Sequence, residues 1–176
     1  LIHGASGGVG SAAVQWAKNA GLTVIGTASS EAGAKLVADL GADAVFDHTD
    51  EDHYSAIREF TQGKGVDVII EMLANVNLER DFEALAMFGR IVVVGNRGSL
   101  TFTPRLAMTK DATIYGMSLF NSPQSDRDAI HAAIYAGLSE GYLDPIISRV
   151  FSLDEAPLSH LAVINEKSNG KIVLKP

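Results

Sequence analysis

Two alternating rhythms of apolar residues run along the first two-thirds of the chain. Between Val9 and Ala20, Ala12, Ala13, Trp16 and Ala17 stand at helical spacing and Gly21 supplies a stop; Ala34, Val37, Ala38 and Leu40 repeat the spacing before Gly41. Continuous apolar runs separate these helices and predict strands over 22–27, 44–46, 66–70, 90–95 and 113–119. Further helices are expected over 52–61 and 77–87, the second stopped by Gly89. Leu1-Ile2-His3 reads as the end of a buried strand that runs straight into glycines, which leads us to expect chain upstream of it.

Strands this uniformly apolar are buried on both faces, and their alternation with helices implies a parallel sheet with helices on either side. The fold class expected is α/β, a Rossmann-type doubly wound parallel sheet in three layers. Ligands of such sheets bind at the carboxyl ends of the strands, beside the switch point next to strand one. The glycines Gly4, Gly7, Gly8 and Gly10 lie there. The last third is less regular. Ser122-Pro123 can open a helix reaching about Ser139, Ser152-Leu153-Asp154-Glu155 is a capping-box sequence, and Gly170 precedes a strand over 171–174 with no obvious sheet to join.

The 176 residues, 47% hydrophobic and 20% charged, suit one substantial core. No apolar run approaches the ~20 residues of a membrane span and no signal-peptide pattern opens the chain, so a cytoplasmic protein is expected. A net charge of −7 with scattered basic residues argues against nucleic acid as a partner. The absence of cysteine excludes disulfides and thiolate metal sites. Asp47-His48-Thr49-Asp50-Glu51-Asp52-His53 holds ligand types at a spacing that matches no recognised metal site, so no metal is expected.

Three machines could be built on Gly4-Ala5-Ser6-Gly7-Gly8-Val9-Gly10. A serine-hydrolase elbow, G-x-S-x-G, needs several strands before the serine, whereas Ser6 precedes nearly all of them. A short-chain dehydrogenase needs a tyrosine four residues before a lysine, and Tyr54, Tyr115, Tyr135 and Tyr142 are followed at that distance by Arg58, Leu119, Ser139 and Ile146. A dinucleotide turn needs strand, glycines and helix in that order, and all are present. Gly7 and Gly8 would let the backbone approach a pyrophosphate, Gly10 would let the helix pack on the sheet, and the helix N-terminus would supply partial positive charge.

The segments His3–Gly10, 71–78 (Glu-Met-Leu-Ala-Asn-Val-Asn-Leu), 92–98 (Val-Val-Val-Gly-Asn-Arg-Gly) and 170–174 (Gly-Lys-Ile-Val-Leu) resemble the zeta-crystallin family of NADPH-dependent quinone oxidoreductases, within the medium-chain dehydrogenase/reductase superfamily. The likeness covers essentially the whole chain. It implies that residues 1–150 form the dinucleotide-binding domain and that 151–176 return to an N-terminal catalytic domain absent from this sequence. Ser6, Gly7, Gly8 and Val9 would then hold the pyrophosphate, Val94, Gly95, Asn96 and Arg97 would line the nicotinamide side, and Ser29, His48 and Asn77 match further cofactor contacts. Hydride transfer in that family needs no zinc. The remaining pocket groups come from the catalytic domain, so no catalytic residue is assigned to this chain.

Cofactor choice has a physical argument of its own. An NAD site commonly ends strand two with a carboxylate that binds the ribose hydroxyls and repels a 2′-phosphate. Here that strand ends Gly26-Thr27-Ala28-Ser29-Ser30, with Lys35 a turn further on. Ser29, Ser30 and Lys35 favour NADPH; the bland alternatives are that Ser30 caps the next helix and Lys35 is a solvated surface lysine. Glu31 counts mildly the other way.

The strand from Thr113 to Leu119 is uncharged and rich in β-formers, a poor exposed edge. By resemblance it pairs with its twin across a two-fold axis in a homodimer. The leading reading is the cofactor domain of an NADPH:quinone (or enone) reductase with a small-molecule acceptor and no membrane partner. The alternative is a non-catalytic NADP(H)-binding module or sensor.

Overall fold

Leu1–His3 occupies the middle of the sheet. In the structure, a computed structural model that describes residues 1–166 and 168–176, Ile2 bridges in parallel to Gly26 on one side and Ile70 on the other. Four helix–strand steps unfold around this stub: α1 (Gly10–Asn19), β1 (Ile25–Ala28), α2 (Glu31–Asp39), β2 (Ala44–Asp47), α3 (His53–Phe60), β3 (Val66–Glu71), α4 (Ala74–Ala84) and β4 (Leu85–Val93). A short α5 (Arg105–Met108) leads to β5 (Thr113–Gly116). All the pairings are parallel and give the order β2-β1-stub-β3-β4-β5. The chain therefore reverses direction across the sheet at the stub, which places the glycine turn at the switch point.

Alternation along the strands divides the core in two. Leu1, Ile25, Ile69 and Ile91 face α3 and α4 through Tyr54, Ile57, Leu78 and Phe82. Ile2, Val24 and Ile70 face α1 and α2 through Val14 and Val37. Three layers result, as the apolar pattern predicts.

The departures from the predicted elements have local causes. α4 starts at Ala74, not Asn77, because the carbonyl of Gly95 accepts from Ala74 N at 3.0 Å and replaces a side-chain cap. It ends at Ala84, and the residues before Gly89 belong to β4. There Val66 pairs with Leu85 and Val68 with Arg90, so 86–89 bulge out, with Phe88 at φ +60° and its N–H bonded to Lys110 O at 2.7 Å. β5 stops at Gly116, short of Leu119, where a 3₁₀ turn over Leu119–Asn121 begins.

Beyond β5, α6 (Gln124–Glu140) ends on Gly141 at φ +80°, and the Ser152–Glu155 capping box forms ahead of α7 (Ala156–Asn165). The tail strand β7 (Lys171–Lys175) does have a partner, β6 (Ile147–Ser152), which the sequence reading missed; the two pair in parallel. A bridge from Gly170 to Gly7 ties the tail to the glycine turn.

Candidate cofactor site and the polar network beneath it

The glycine turn closes tightly. Gly4 takes φ +55°, Gly7 N donates to Gly4 O at 3.0 Å, and Ser11 N donates to Gly7 O at 2.8 Å. A Cβ on Gly10 would stand 2.4 Å from Gly4 O and 2.6 Å from Ala5 Cα, so only glycine lets α1 start here. α1 has no side-chain cap and no acidic residue in its first turn. Ser11 N and Ala13 N are already bonded to Gly7 O and Val9 O, so what the helix end offers an anion is chiefly its partial positive charge.

The predicted site residues sit at the carboxyl ends of successive strands. Ser6, Gly7, Gly8 and Val9 form the turn itself. Ser29 is half-buried one residue past β1, and His48, one residue past β2, is exposed, with its N–H donated to Ala28 O at 3.3 Å. Asn77 lies half-buried in the first turn of α4; Val94 and Gly95 are half-buried past β4, while Asn96 and Arg97 are exposed. The loop after β4 is stitched to the β3–α4 turn: Arg97 N donates to Asn75 Oδ1 at 2.9 Å, and a Cβ on Gly95 would lie 2.2 Å from Met72 O.

Ser30 caps α2, its Oγ accepting from Gly33 N at 3.1 Å. Lys35 stands on the exposed side of α2 and pairs with Asp39 at 2.7 Å. The tail adds residues that sequence reasoning missed. A Cβ on Gly33 would meet Ser30 Oγ, Ser6 Oγ and Asn169 Oδ1 within 3.1 Å, and a Cβ on Gly8 would meet the stem of Lys171 at 2.5 Å. Asn169 and Lys171 come near the turn through the β6–β7 pairing, which no local pattern encodes.

Under this floor lies a buried polar network that the sequence reading also missed. Asp81 Oδ1 lies 2.8 Å from His3 Nε2 and accepts from Tyr54 OH at 3.1 Å. His3 Nδ1 lies 3.4 Å from Thr27 Oγ1, which accepts from Gly4 N at 3.1 Å. Glu71 Oε1 accepts from Leu73 N and, at 3.1 Å, from Asn77 Nδ2. His3, Thr27, Glu71 and Asp81 are all buried.

Burial lowers the His3 imidazole to about 4, so the ring is neutral at pH 7. Burial pushes the Glu71 carboxyl up to about 7, assisted by the neighbouring Asp81 charge, and likewise raises Asp81 to about 7. Burial, with the Asp81 charge second, also raises the Tyr54 phenol, so it stays protonated and donates. Tyr54→Phe should cost about 1–3 kcal/mol, because it removes a donor from a buried carboxylate; urea denaturation at pH 7 checks it, and a cost below about 0.5 kcal/mol would contradict the bond.

A match to the family described as zinc-binding dehydrogenase covers residues 8–134. The chain belongs to that family. It is 43% identical over 175 residues to a quinone oxidoreductase from Sus scrofa, an alignment that takes in 99% of this chain and 53% of the relative. The chain thus spans about half the length of the curated relatives it matches. Among solved structures, Escherichia coli quinone oxidoreductase complexed with NADPH superposes with a TM-score of 0.89 at 25% identity, over 99% of this chain and 56% of that one. A mycobacterial protein complexed with NADPH gives 0.91 at 26% identity, again over 99% and 56%.

The family's name implies zinc, and the residues here do not fit a catalytic zinc site. The chain has no cysteine. Among the described residues, His3, Glu71 and Asp81 alone bring three ligand atoms together, within 4.8 Å of one another. They are fully enclosed, whereas a catalytic zinc keeps a position open to substrate. The His3–Asp81 distance of 2.8 Å is that of a hydrogen bond.

Proposed function

We propose that this chain is the cofactor-binding domain of an NADPH-dependent quinone, enone or related carbonyl oxidoreductase that works without zinc. One observation carries the reading: an uncapped helix N-terminus behind a glycine turn, set beside a strand β1 that ends at Ala28 and leads into Ser29-Ser30 with no carboxylate. The relatives' names and the NADPH carried by two structural neighbours support it. When bound, the nicotinamide would supply a hydride to an electrophilic acceptor, and this chain's residues would hold and orient it.

Ser6, Gly7, Gly8 and Val9 would take the pyrophosphate along the turn, with the Gly7 N–H staying on Gly4 O to hold its shape and the partial positive charge of α1 behind it attracting the anion. Ser29 and Lys35 would take the 2′-phosphate: the Lys35–Asp39 pair is exposed, and such pairs hold by only about 0.5 kcal/mol, so a phosphate can recruit the ammonium. His48 would flank the adenine, and Asn77 with Val94, Gly95, Asn96 and Arg97 would line the nicotinamide side. A paired fluorescence titration should find NADPH binding at least tenfold tighter than NADH, about 1.4 kcal/mol, and Lys35→Ala should erase most of that gap. Equal affinities would overturn the phosphate assignment.

The tail from residue 151 is proposed to pack against a catalytic domain that supplies the acceptor pocket. Val150, Leu153, Leu158, Leu161 and Ile164 on β6, α7 and the turn joining them are more than half exposed, a surface suited to cover. At the other end of the sheet, β5 is proposed to pair with its twin in a homodimer, with Tyr115, Met117, Leu119 and Phe120, the last 93% exposed, meeting across the axis. Small-angle scattering at micromolar concentration should give twice the monomer mass; a monomer would refute the pairing. A cysteine-free chain suits the reducing cytoplasm, the proposed location.

A further inference from the structure

Two buried oxygens in the network have no hydrogen-bond partner: Glu71 Oε2 and Asp81 Oδ2. A buried carboxylate oxygen left unpaired is costly. Counting protons resolves both. His3 is neutral and its Nδ1 faces the Thr27 hydroxyl, so its Nε2–H donates to Asp81; Tyr54 donates to Asp81 as well. Asp81 is therefore the acceptor of the group. A proton on Glu71 directed at Asp81 would satisfy both orphan oxygens, since oxygens of the two carboxyls lie within 4.8 Å of one another and of His3; such a hydrogen bond raises Glu71 while lowering Asp81.

Protonated on that side, Glu71 keeps Oε1 as an acceptor. It uses this oxygen for Leu73 N and Asn77 Nδ2, while its backbone carbonyl accepts from Val94 N at 2.8 Å and Gly95 N at 3.2 Å. A single residue thus ties both segments assigned to the nicotinamide side to the buried floor under the glycine turn. We propose that Glu71, as a neutral acid hydrogen-bonded to Asp81, is a positioning residue that orients Asn77 and the β3–α4 turn toward the nicotinamide cofactor. This rests on the functional reading above.

Glutamine can repeat the arrangement, with its oxygen toward Leu73 and Asn77 and its NH₂ toward Asp81; leucine cannot, and neither amide nor alkyl side chain is a good metal ligand. Glu71→Gln should bind NADPH within about threefold of the unaltered chain, and Glu71→Leu at least tenfold more weakly. In ¹⁵N spectra without cofactor, the Asn77 side-chain amide should be retained in Glu71→Gln and displaced in Glu71→Leu. If Glu71→Leu does not fold, the unaltered chain decides: the Asn77 side-chain amide should exchange with water more slowly than that of exposed Asn19, and equal rates would overturn the proposal. An unaltered chain that takes up no NADPH would fail the functional reading. NADPH binding unimpaired in folded Glu71→Leu, or lost in Glu71→Gln, would instead fail the assignment of Glu71.

Discussion

Gly10→Ala is expected to destabilise the chain by at least about 2 kcal/mol and to abolish NADPH uptake. Alanine in place of glycine ordinarily favours a helix by up to about 1 kcal/mol, so propensity alone predicts the opposite sign. Geometry decides against it. The new methyl would lie 2.4 Å from Gly4 O, 2.6 Å from Ala5 Cα and 2.9 Å from Ala5 C, all main-chain atoms. Those atoms are fixed by Ala5 N donating to Thr27 O at 2.8 Å and by Gly4 N on Thr27 Oγ1. Relief requires α1 to move off the sheet, and overpacking a rigid contact costs about 1–3 kcal/mol or more beyond the propensity gain.

Gly8→Ala separates stability from binding. The nearest atoms to its methyl would be three stem carbons of Lys171, an exposed side chain that can swing away. Gly8→Ala should therefore unfold within about 1 kcal/mol of the unaltered chain yet bind NADPH more weakly, because the methyl projects where the pyrophosphate would approach. Urea denaturation and cofactor titration of both variants check the pair. A Gly10→Ala chain as stable as its parent would show that the turn is looser than the structure describes.

The contrast between these glycines marks how far the residues alone could lead. Helical spacing and terminal glycines locate α1 and α2 to within a residue or so, since both signals are local. The apolar stub Leu1–His3 and the alternation that comes after it indicate a doubly wound parallel sheet with the glycine turn at its switch point, while the strand order itself is seen only in the pairings. β6 stayed hidden because Ile147-Ser-Arg-Val-Phe-Ser acquires strand structure from β7, with Ile147 paired to Lys171. The polar network was less legible still. His3 and Asp81 are 78 positions apart, and each alone has an ordinary reading: a histidine before a turn, an acid on a helix flanked by Arg80 and Glu83. One local signal was available, a glutamate closing the apolar run 68–70 of β3. The proposed cofactor residues from Ser6 to Arg97, Lys35 on α2 apart, fall at strand ends as the fold class implies; family resemblance singled most of them out, and Ser29 and Lys35 also by their chemistry toward a 2′-phosphate.

The same network should make stability fall with rising pH in a region where many proteins are indifferent to it. Glu71 and Asp81 move in the fold from 4.5 and 3.8 up to about 7. The folded chain thus binds more protons than the unfolded one between about pH 4 and 7. Their contribution is full below the unfolded values and lost as pH rises through 7. One neighbour acts in the opposite sense. His3, lowered from 6.5 to about 4, contributes stability present above 6.5 and lost as pH falls through 4. Arg80 stands over the Tyr54 ring of this network, 4.7 Å from its centroid.

A raw stability profile therefore mixes rising and falling terms, and the difference between the unaltered chain and Glu71→Gln isolates the carboxyl pair. In that difference His3 largely cancels. Glutamine is neutral at every pH, so Asp81 never faces a second buried charge. At pH 5 the two chains should melt close together, since Glu71 is itself neutral there. At pH 8 the parent holds two buried carboxylates side by side, and Glu71→Gln should be the more stable by at least about 4 °C, which for a chain of this size corresponds to about 1–2 kcal/mol. Scanning calorimetry at the two pH values checks it. A difference that stays flat, or that grows toward low pH, would mean that no proton is shared between Glu71 and Asp81, and the account of what holds Asn77 in place would fall with it.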